Sequence, residues 1–273
     1  MREAQDIMME ILSSPFMQKA FIAGILISIM TGIVSVFIVL RKMSFIGAGI
    51  SHAAFGGVAI GFATGINPLL TAMIYTIFVA LGIEHTSRKG KISEDVSIGI
   101  FYSVSMSLGI AIISLSKSYN IDLFGYLFGN ILAITDEEIL LTLITAIVVV
   151  LTILIFLKEL FLLTYNEEIA QVSGVRIRLL NSVFLIALAV SIVISIKIVG
   201  IIMVSALLVI PGATARLFAK NLLSMIALSC LAGILSVIAG LFLSYEYDIA
   251  SGACIVLTSA AIFFISLIFK KKA

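Results

Sequence analysis

Apolar runs of about 20 residues follow one another along nearly the whole chain, and this pattern leaves few folds open. Seven runs have that length: residues 16–40, 46–66, 96–115, 139–157, 179–196, 222–243 and 249–269. A hydrocarbon layer about 30 Å thick takes roughly 20 helical residues to cross. Two further runs are shorter, 69–83 and 198–211. Each is expected to cross only by recruiting flanking residues, or as a broken or short helix covered by the bundle. With 62% of 273 residues hydrophobic and 12% charged, a soluble core cannot absorb this surface. The expectation is an all-α, polytopic transmembrane helix bundle of about 8–9 spans.

The basic residues divide unequally between the two faces of such a bundle. Thirteen of the 17 Lys and Arg fall on one side: Arg41, Lys42, Arg88, Lys89, Lys91, Lys158, Arg176, Arg178, Arg216, Lys220 and Lys270–Lys272. Arg2, Lys19, Lys117 and Lys197 fall on the other. The positive-inside rule makes the first face cytoplasmic, and with it the C-terminus, in a multi-pass protein of the inner or plasma membrane. Counting acids too, the faces carry about +7 and −5. The overall +2 therefore conceals a polarised molecule and says nothing about nucleic acid.

Residues 1–15 read as an amphipathic segment on the outer surface, with Ile7, Met8, Ile11 and Leu12 sharing a face. No cleavable signal peptide is expected, because the first apolar run is too long and no small-residue cleavage site follows. Residues 16–273 read as one transmembrane domain. The longest polar connections are 84–95 and 158–178 inside and 116–138 outside. The outer one holds 123–134, a short apolar stretch suited to a helix at the mouth. Cys230 and Cys254 read as buried small hydrophobes. The chain has no Gly-Lys-Ser or Gly-Lys-Thr phosphate loop, no Cys-x-x-Cys, no His-Glu-x-x-His and no Gly-x-Ser-x-Gly elbow. These absences count against an enzyme within the membrane.

Four features carry mechanism. In the second span Gly49, Ala53, Gly57, Gly61 and Gly65 recur every fourth residue, which lets another helix approach closely. That stripe serves either packing within the subunit or a dimer interface and translocation path. His52 stands beside it, with Ser44 and Ser51 nearby. A histidine at hydrocarbon depth needs a partner. It is either bonded to a nearby carbonyl or hydroxyl, or a transition-metal contact. His85 sits in a basic loop and reads as solvated. Third, the inner stretch 164–175 pairs Thr164 with Glu167 in a capping-box pattern, places Glu167 and Glu168 in a first turn, and ends on Gly174. It predicts a two-turn helix along the membrane, either an ordinary loop helix or a lever fitting a cytoplasmic partner. After it, Pro211 and Gly212 are expected to end or kink a helix near the inner face, and Lys197 to snorkel outward. Fourth, Asp122, Asp136, Glu137, Glu138, Glu246 and Asp248 collect outside. They read as a solvated rim, a mouth that concentrates cations, or a dock for a basic protein patch.

Taken together, these stretches resemble the membrane permeases of ATP-binding-cassette importers for zinc, manganese or iron. The resemblance runs from about Phe16 to Phe269. It is carried by 40–61, LRKMSFIGAGISHAAFGGVAIG, then EDVSIG at 94–99, DLFGYLFGN at 122–130, NEEIAQVSG at 166–174, and 197–215. It implies a fold similar to cobalamin- and siderophore-type importer permeases. It also implies a second copy of the chain around a central path, cytoplasmic ATPase subunits gripping the coupling helix at about 164–175, and an extracytoplasmic metal-binding protein. ATP hydrolysis would belong to the ATPase, so the chain itself is no enzyme. The cargo would be a divalent metal ion, zinc or manganese before iron, with no permanent cofactor. By the same analogy Asn166, Glu167, Glu168, Ala170 and Gly174 form the coupling helix, and His52 meets the metal in transit. This chain departs from many relatives in having Ala48 where they carry Asp, on the same helical face as His52. The alternative is a secondary carrier, which needs more ionisable groups at mid-membrane than His52 alone.

Overall fold

A computed structural model describes residues 14–115, 129, 131 and 134–270. The amphipathic prefix, most of the short helix expected at 123–134, Asp122 and the last two lysines lie outside the described residues. The described residues form eleven α-helices and no strand. They are α1 (Pro15–Leu40), α2 (Ile46–Thr64), α3 (Pro68–Gly90), α4 (Glu94–Leu115), α5 (Asp136–Ile155), α6 (Leu157–Tyr165), α7 (Glu167–Val172), α8 (Ile177–Leu207), α9 (Ile210–Phe218), α10 (Leu222–Tyr247) and α11 (Ser251–Lys270). Eight stretches are long and apolar enough to cross a membrane, with α8 and α9 forming a single stretch of 42 residues.

The short run at 69–83 crosses by recruiting both flanks. Asn67 caps α3 by accepting from the N–H groups of Leu69 and Leu70, and Pro68 sits in the first turn. At the other end the helix continues to Gly90. Glu84, His85 and Arg88 are therefore helical, and the connection expected at 84–95 shrinks to a tight turn. Likewise 158–178 is mostly α6 and α7 instead of open loop.

The second short run is a return path. Lys197 on α8 pairs with Glu138 at the start of α5, at 2.6 Å, and Lys19 pairs with Asp136 at 2.8 Å. These contacts mark one end of the bundle. Arg41 donates to Asn181 at 2.7 Å, marking the other. From Asn181 to Lys197 the chain therefore crosses once. Gly200 then leaves helical geometry, with φ 80° and ψ 164°. Beyond it Leu208 packs over Gly47, and the Gly212 N–H donates to Ser35 Oγ at 3.0 Å, back near the Arg41 end. The 42 residues thus cross out and back, the return made of two short helical pieces. Pro211 begins the second piece, α9, as the Pro-Gly pair predicts. The turn at Gly200, which needs a positive φ, is the feature the apolar pattern does not reveal.

α1, α2 and the α8–α9 stretch form the centre, with 72%, 72% and 78% of their apolar windows buried. α4, α5 and α11 are 17–28% buried and face outward. Lipid is as apolar as a leucine side chain, so helices in a membrane associate through close packing. The small residues of α2 supply it within this chain. A methyl on Gly57 would lie 2.6 Å from Ala72 Cα, one on Gly61 2.6 Å from Pro68 Cα, and one on Gly56 2.8 Å from the Ser105 carbonyl oxygen. α3 and α4 thus already occupy that face of α2. Gly49 meets Ile98, and Ala53 is fully buried.

Candidate translocation path and coupling surface

α2 turns its packed side to α3 and α4 and leaves Ala48 and His52 half-buried. His52 Nδ1 lies 2.9 Å from the Ala48 carbonyl oxygen. A carbonyl only accepts, so Nδ1 carries a proton, and in the neutral tautomer that makes this bond the lone pair lies on Nε2. The bond to the neighbouring carbonyl thus engages one ring nitrogen and not the other. The His52 ring stands edge-on to Tyr102 of α4, with centroids 4.8 Å apart and planes at 72°. Tyr102 shares an exposed sector of α4 with Asp95, Gly99 and Ser103, and a methyl on Gly99 would meet nothing within 4 Å. This sector is small and polar, while Ile100, Val104 and Leu108 form a separate apolar one. The helix therefore presents a buried sector, an exposed apolar sector and an exposed small polar sector.

The other two serine candidates do not join His52. Ser51 is fully buried on the packed side, and its hydroxyl finds no hydrogen-bond partner among the described residues. Ser44 precedes α2 and is exposed, and even the first residue of α2, Ile46, lies about 9 Å along the axis from His52. Among the described residues no three His, Cys, Asp or Glu side chains cluster as a metal site.

At the Arg41 end, α7 stands out from the bundle. Asn166, not Thr164, is its cap: Asn166 Oδ1 accepts from the Ile169 N–H at 3.1 Å. The Thr164 hydroxyl instead donates back to the Phe161 carbonyl at 2.7 Å. Thr164 still belongs to α6, which runs to Tyr165, and the chain first leaves helical geometry at Asn166, with φ −159° and ψ 119°, so Asn166 takes the cap position. At the far end Gly174 adopts φ 81°. Its N–H donates to Gln171 O at 3.1 Å and the Val175 N–H to Ala170 O at 3.0 Å. This pair of bonds is the glycine-dependent helix stop predicted at that position. Only Ala170 is buried, at 0% exposure. Glu168 is exposed, and so are Tyr165 at 79%, Ile169 at 46% and Val172 at 90%.

A polar chain ties α7 to the core. Ser182 of α8 donates to the buried Glu84 at 3.1 Å, Arg88 lies 3.6 Å from Glu84, and Arg88 lies 3.4 Å from Glu167. Beside it, a cavity of about 560 Å³ is lined by Arg41, Lys42, Arg88, Glu94, Thr164, Glu167 and Asn181 among others. Arg41 sits over the Phe184 ring at 5.1 Å. Burial pulls its guanidinium below the usual value, while Glu94, Glu84 and Glu167 pull it back.

At the opposite end the acidic residues are only partly a free mouth. Asp136 is neutralised by Lys19, and Glu138 by Lys197, so Lys197 is an ion-pair partner as well as a snorkelling side chain. Glu138 also closes a capping box with Thr135. Asp248 ends α10 in the left-handed conformation, with φ 52°. Glu137, Glu246 and Asp248 remain exposed. Tyr102, Glu84 and the Lys197–Glu138 pair are the residues that the sequence reading passed over. Only Tyr102 left a signal, as part of the polar sector Asp95-Gly99-Tyr102-Ser103 on an otherwise apolar span.

A helical bundle that crosses the membrane repeatedly, with a half-broken central span and a capped helix projecting at its basic end, is the architecture of a membrane transport subunit. The chain belongs to the ABC 3 transport family, which matches it over residues 13–270. It is 40% identical to the manganese transport system membrane protein MntC of Listeria innocua, over 94% of this chain and 91% of that one. It is 36% identical to the high-affinity zinc uptake system membrane protein ZnuB of Haemophilus influenzae, over 93% and 97%. Among solved structures it superimposes on PsaBC from Streptococcus pneumoniae in complex with Fab, with a TM-score of 0.85, 36% identity, and coverage of 96% and 95%.

Proposed function

We propose that this chain is the permease subunit of an ATP-driven importer of a divalent transition metal ion, manganese or zinc, in the cell membrane with its C-terminus cytoplasmic. The observation that carries the proposal is α7. It holds apolar side chains at the charged end of the bundle, where its own core leaves Tyr165, Ile169 and Val172 exposed. A helix so placed suits a groove on a cytoplasmic ATPase, and the chain has no phosphate loop of its own. Two such chains would enclose the path, and a metal-binding protein would deliver the ion at the opposite end.

In this account ATP-driven closure of the ATPases moves α7. Arg88 and Glu84 pass the movement to α3 and α8, and so to α2, which packs against both. His52 Nε2 is the contact for the ion on the way through. Its single lone pair holds a metal weakly, which favours release over storage. Relatives named for manganese and for zinc support both ions as cargo. The test is co-purification with the candidate ATPase. Native chain should retain it, and Val172→Asp should lose it while still inserting in the membrane. Equal retention by both would remove α7 from the interface.

A further inference from the structure

A second cavity, of about 850 Å³, opens between α3 and α8 at the Arg41 end. Its two halves differ in chemistry. Toward the end of the bundle it is lined by His85, Lys89, Arg88 and Arg178. Further along, toward the middle of the bundle, it is lined by Phe78, Leu81, Gly82 and Phe101 of α3 and α4. Phe78 is 69% exposed, and it lies seven residues, about 10 Å of helix, from His85. Phe101 seats on Gly82, where a methyl would meet its ring at 2.8 Å, so the apolar wall is held open by a glycine.

The charges are unequally engaged. Glu84 is the one acidic lining residue, and it already faces Ser182 and Arg88. Arg88 in turn is shared with Glu167. Lys89 and Arg178 form no ion pair among the described residues and are exposed. The cleft thus offers two free cations at the level where a membrane helix meets water, above an apolar slot at hydrocarbon depth. A soluble anion would fill the first half alone, and an alkyl chain the second alone. A phospholipid with an anionic headgroup fills both, its phosphate on Lys89 and Arg178 and one acyl chain along Phe78, Leu81 and Phe101. Basic pockets between membrane helices take such headgroups.

We infer that the α3–α8 cleft is a binding site for one anionic phospholipid. Its occupant would brace the helix that carries Glu84 and Arg88 and so support the connection from α7 to the core. The site depends on the chain being a membrane protein and not on which ion it moves.

The experiment is native mass spectrometry of the full chain, released from detergent containing equal amounts of phosphatidylglycerol and phosphatidylcholine. Native chain should retain one phosphatidylglycerol in preference to phosphatidylcholine. Each basic side chain at a membrane surface is worth about a fivefold change. The Lys89→Gln/Arg178→Gln variant should therefore lose roughly 25-fold in preference, with an unchanged melting temperature in lipid-free detergent. Phe78→Ala should weaken retention of both lipids while keeping the preference. Glycerol phosphate at millimolar concentration should not displace the lipid; displacement would make the cleft a free-anion site and overturn the inference. Equal retention of the two lipids by native chain, or an unchanged preference in the double variant, would overturn it as well.

Discussion

Gly57→Ala separates packing within the subunit from an interface between subunits more cleanly than any change at an exposed site. The new methyl would stand 2.6 Å from Ala72 Cα, 3.0 Å from Tyr75 Cβ and 3.1 Å from the Ala72 nitrogen. Carbon atoms rest about 3.5–4.0 Å apart, so α2 and α3 would have to separate by roughly 1 Å. Two of the three obstacles are backbone atoms, which no rotamer change removes. Overpacking of this kind costs about 1–3 kcal/mol, and a gap of that width also forfeits a quarter to a half of neighbouring dispersion contacts. The expected loss is about 2 kcal/mol, a fall of roughly 4–8 °C in melting temperature by the scaling for chains near this size. Gly99→Ala is the control, since its methyl meets nothing within 4 Å and alanine is the better helix former. Thermal unfolding of detergent-solubilised chain, followed by cysteine accessibility or circular dichroism, reads both. Destabilisation of Gly57→Ala alone supports the α2–α3 contact. Equal melting temperatures for the two variants would refute it, because the stripe would then be free for another chain.

Other outcomes follow from the same contacts. Tyr102→Leu should lower metal transport by raising KM, because the His52 ring loses its edge-on neighbour, while Tyr102→Phe should restore it; failure of the Phe variant would make the hydroxyl a direct metal contact instead. His52→Ala should impair uptake without lowering stability by more than about 1 kcal/mol, since the half-buried ring has one hydrogen bond to lose; unchanged uptake kinetics would demote His52 to packing. Glu167→Lys should place like charge against Arg88 and uncouple ATP hydrolysis from transport with the chain still inserted, and normal metal uptake by that variant would remove the lever assignment.

Much of the architecture was legible because the bilayer imposes one rule on every span. Seven apolar runs have the length that rule demands, and each became a helix or the greater part of one. Helix ends were harder. Glu84 and Arg88 looked like loop charges because they are polar, yet α3 runs through them, since the helix only has to leave the hydrocarbon and not to stop there. Thr164 and Glu167 match a cap by spacing, but the preceding helix runs through Thr164 to Tyr165, and Asn166 is the residue that caps. The sequence separates 179–196 from 198–211 at Lys197, but the residue that turns the chain, Gly200, is one glycine among 20 and carries no distinguishing mark. At the candidate site, His52 was visible as a costly polar residue in an apolar span. Its tautomer was not, because that depends on a backbone carbonyl. Ser44 and Ser51 were grouped with His52 by proximity in sequence, and helical geometry separates them: Ser51 points to the packed side and Ser44 lies before the helix begins. The small-residue stripe suggests close approach without naming a partner, and in the structure α3 and α4 lie against Gly56, Gly57 and Gly61.

The central claim is that this chain moves metal only as part of an ATP-driven assembly. The most direct measurement is uptake of manganese and of zinc into proteoliposomes containing the chain, its candidate ATPase and the candidate binding protein. The account predicts uptake of at least one of the two ions that requires both ATP and the binding protein. Uptake by the chain alone, driven by a proton or sodium gradient, would contradict it and make the protein a secondary carrier.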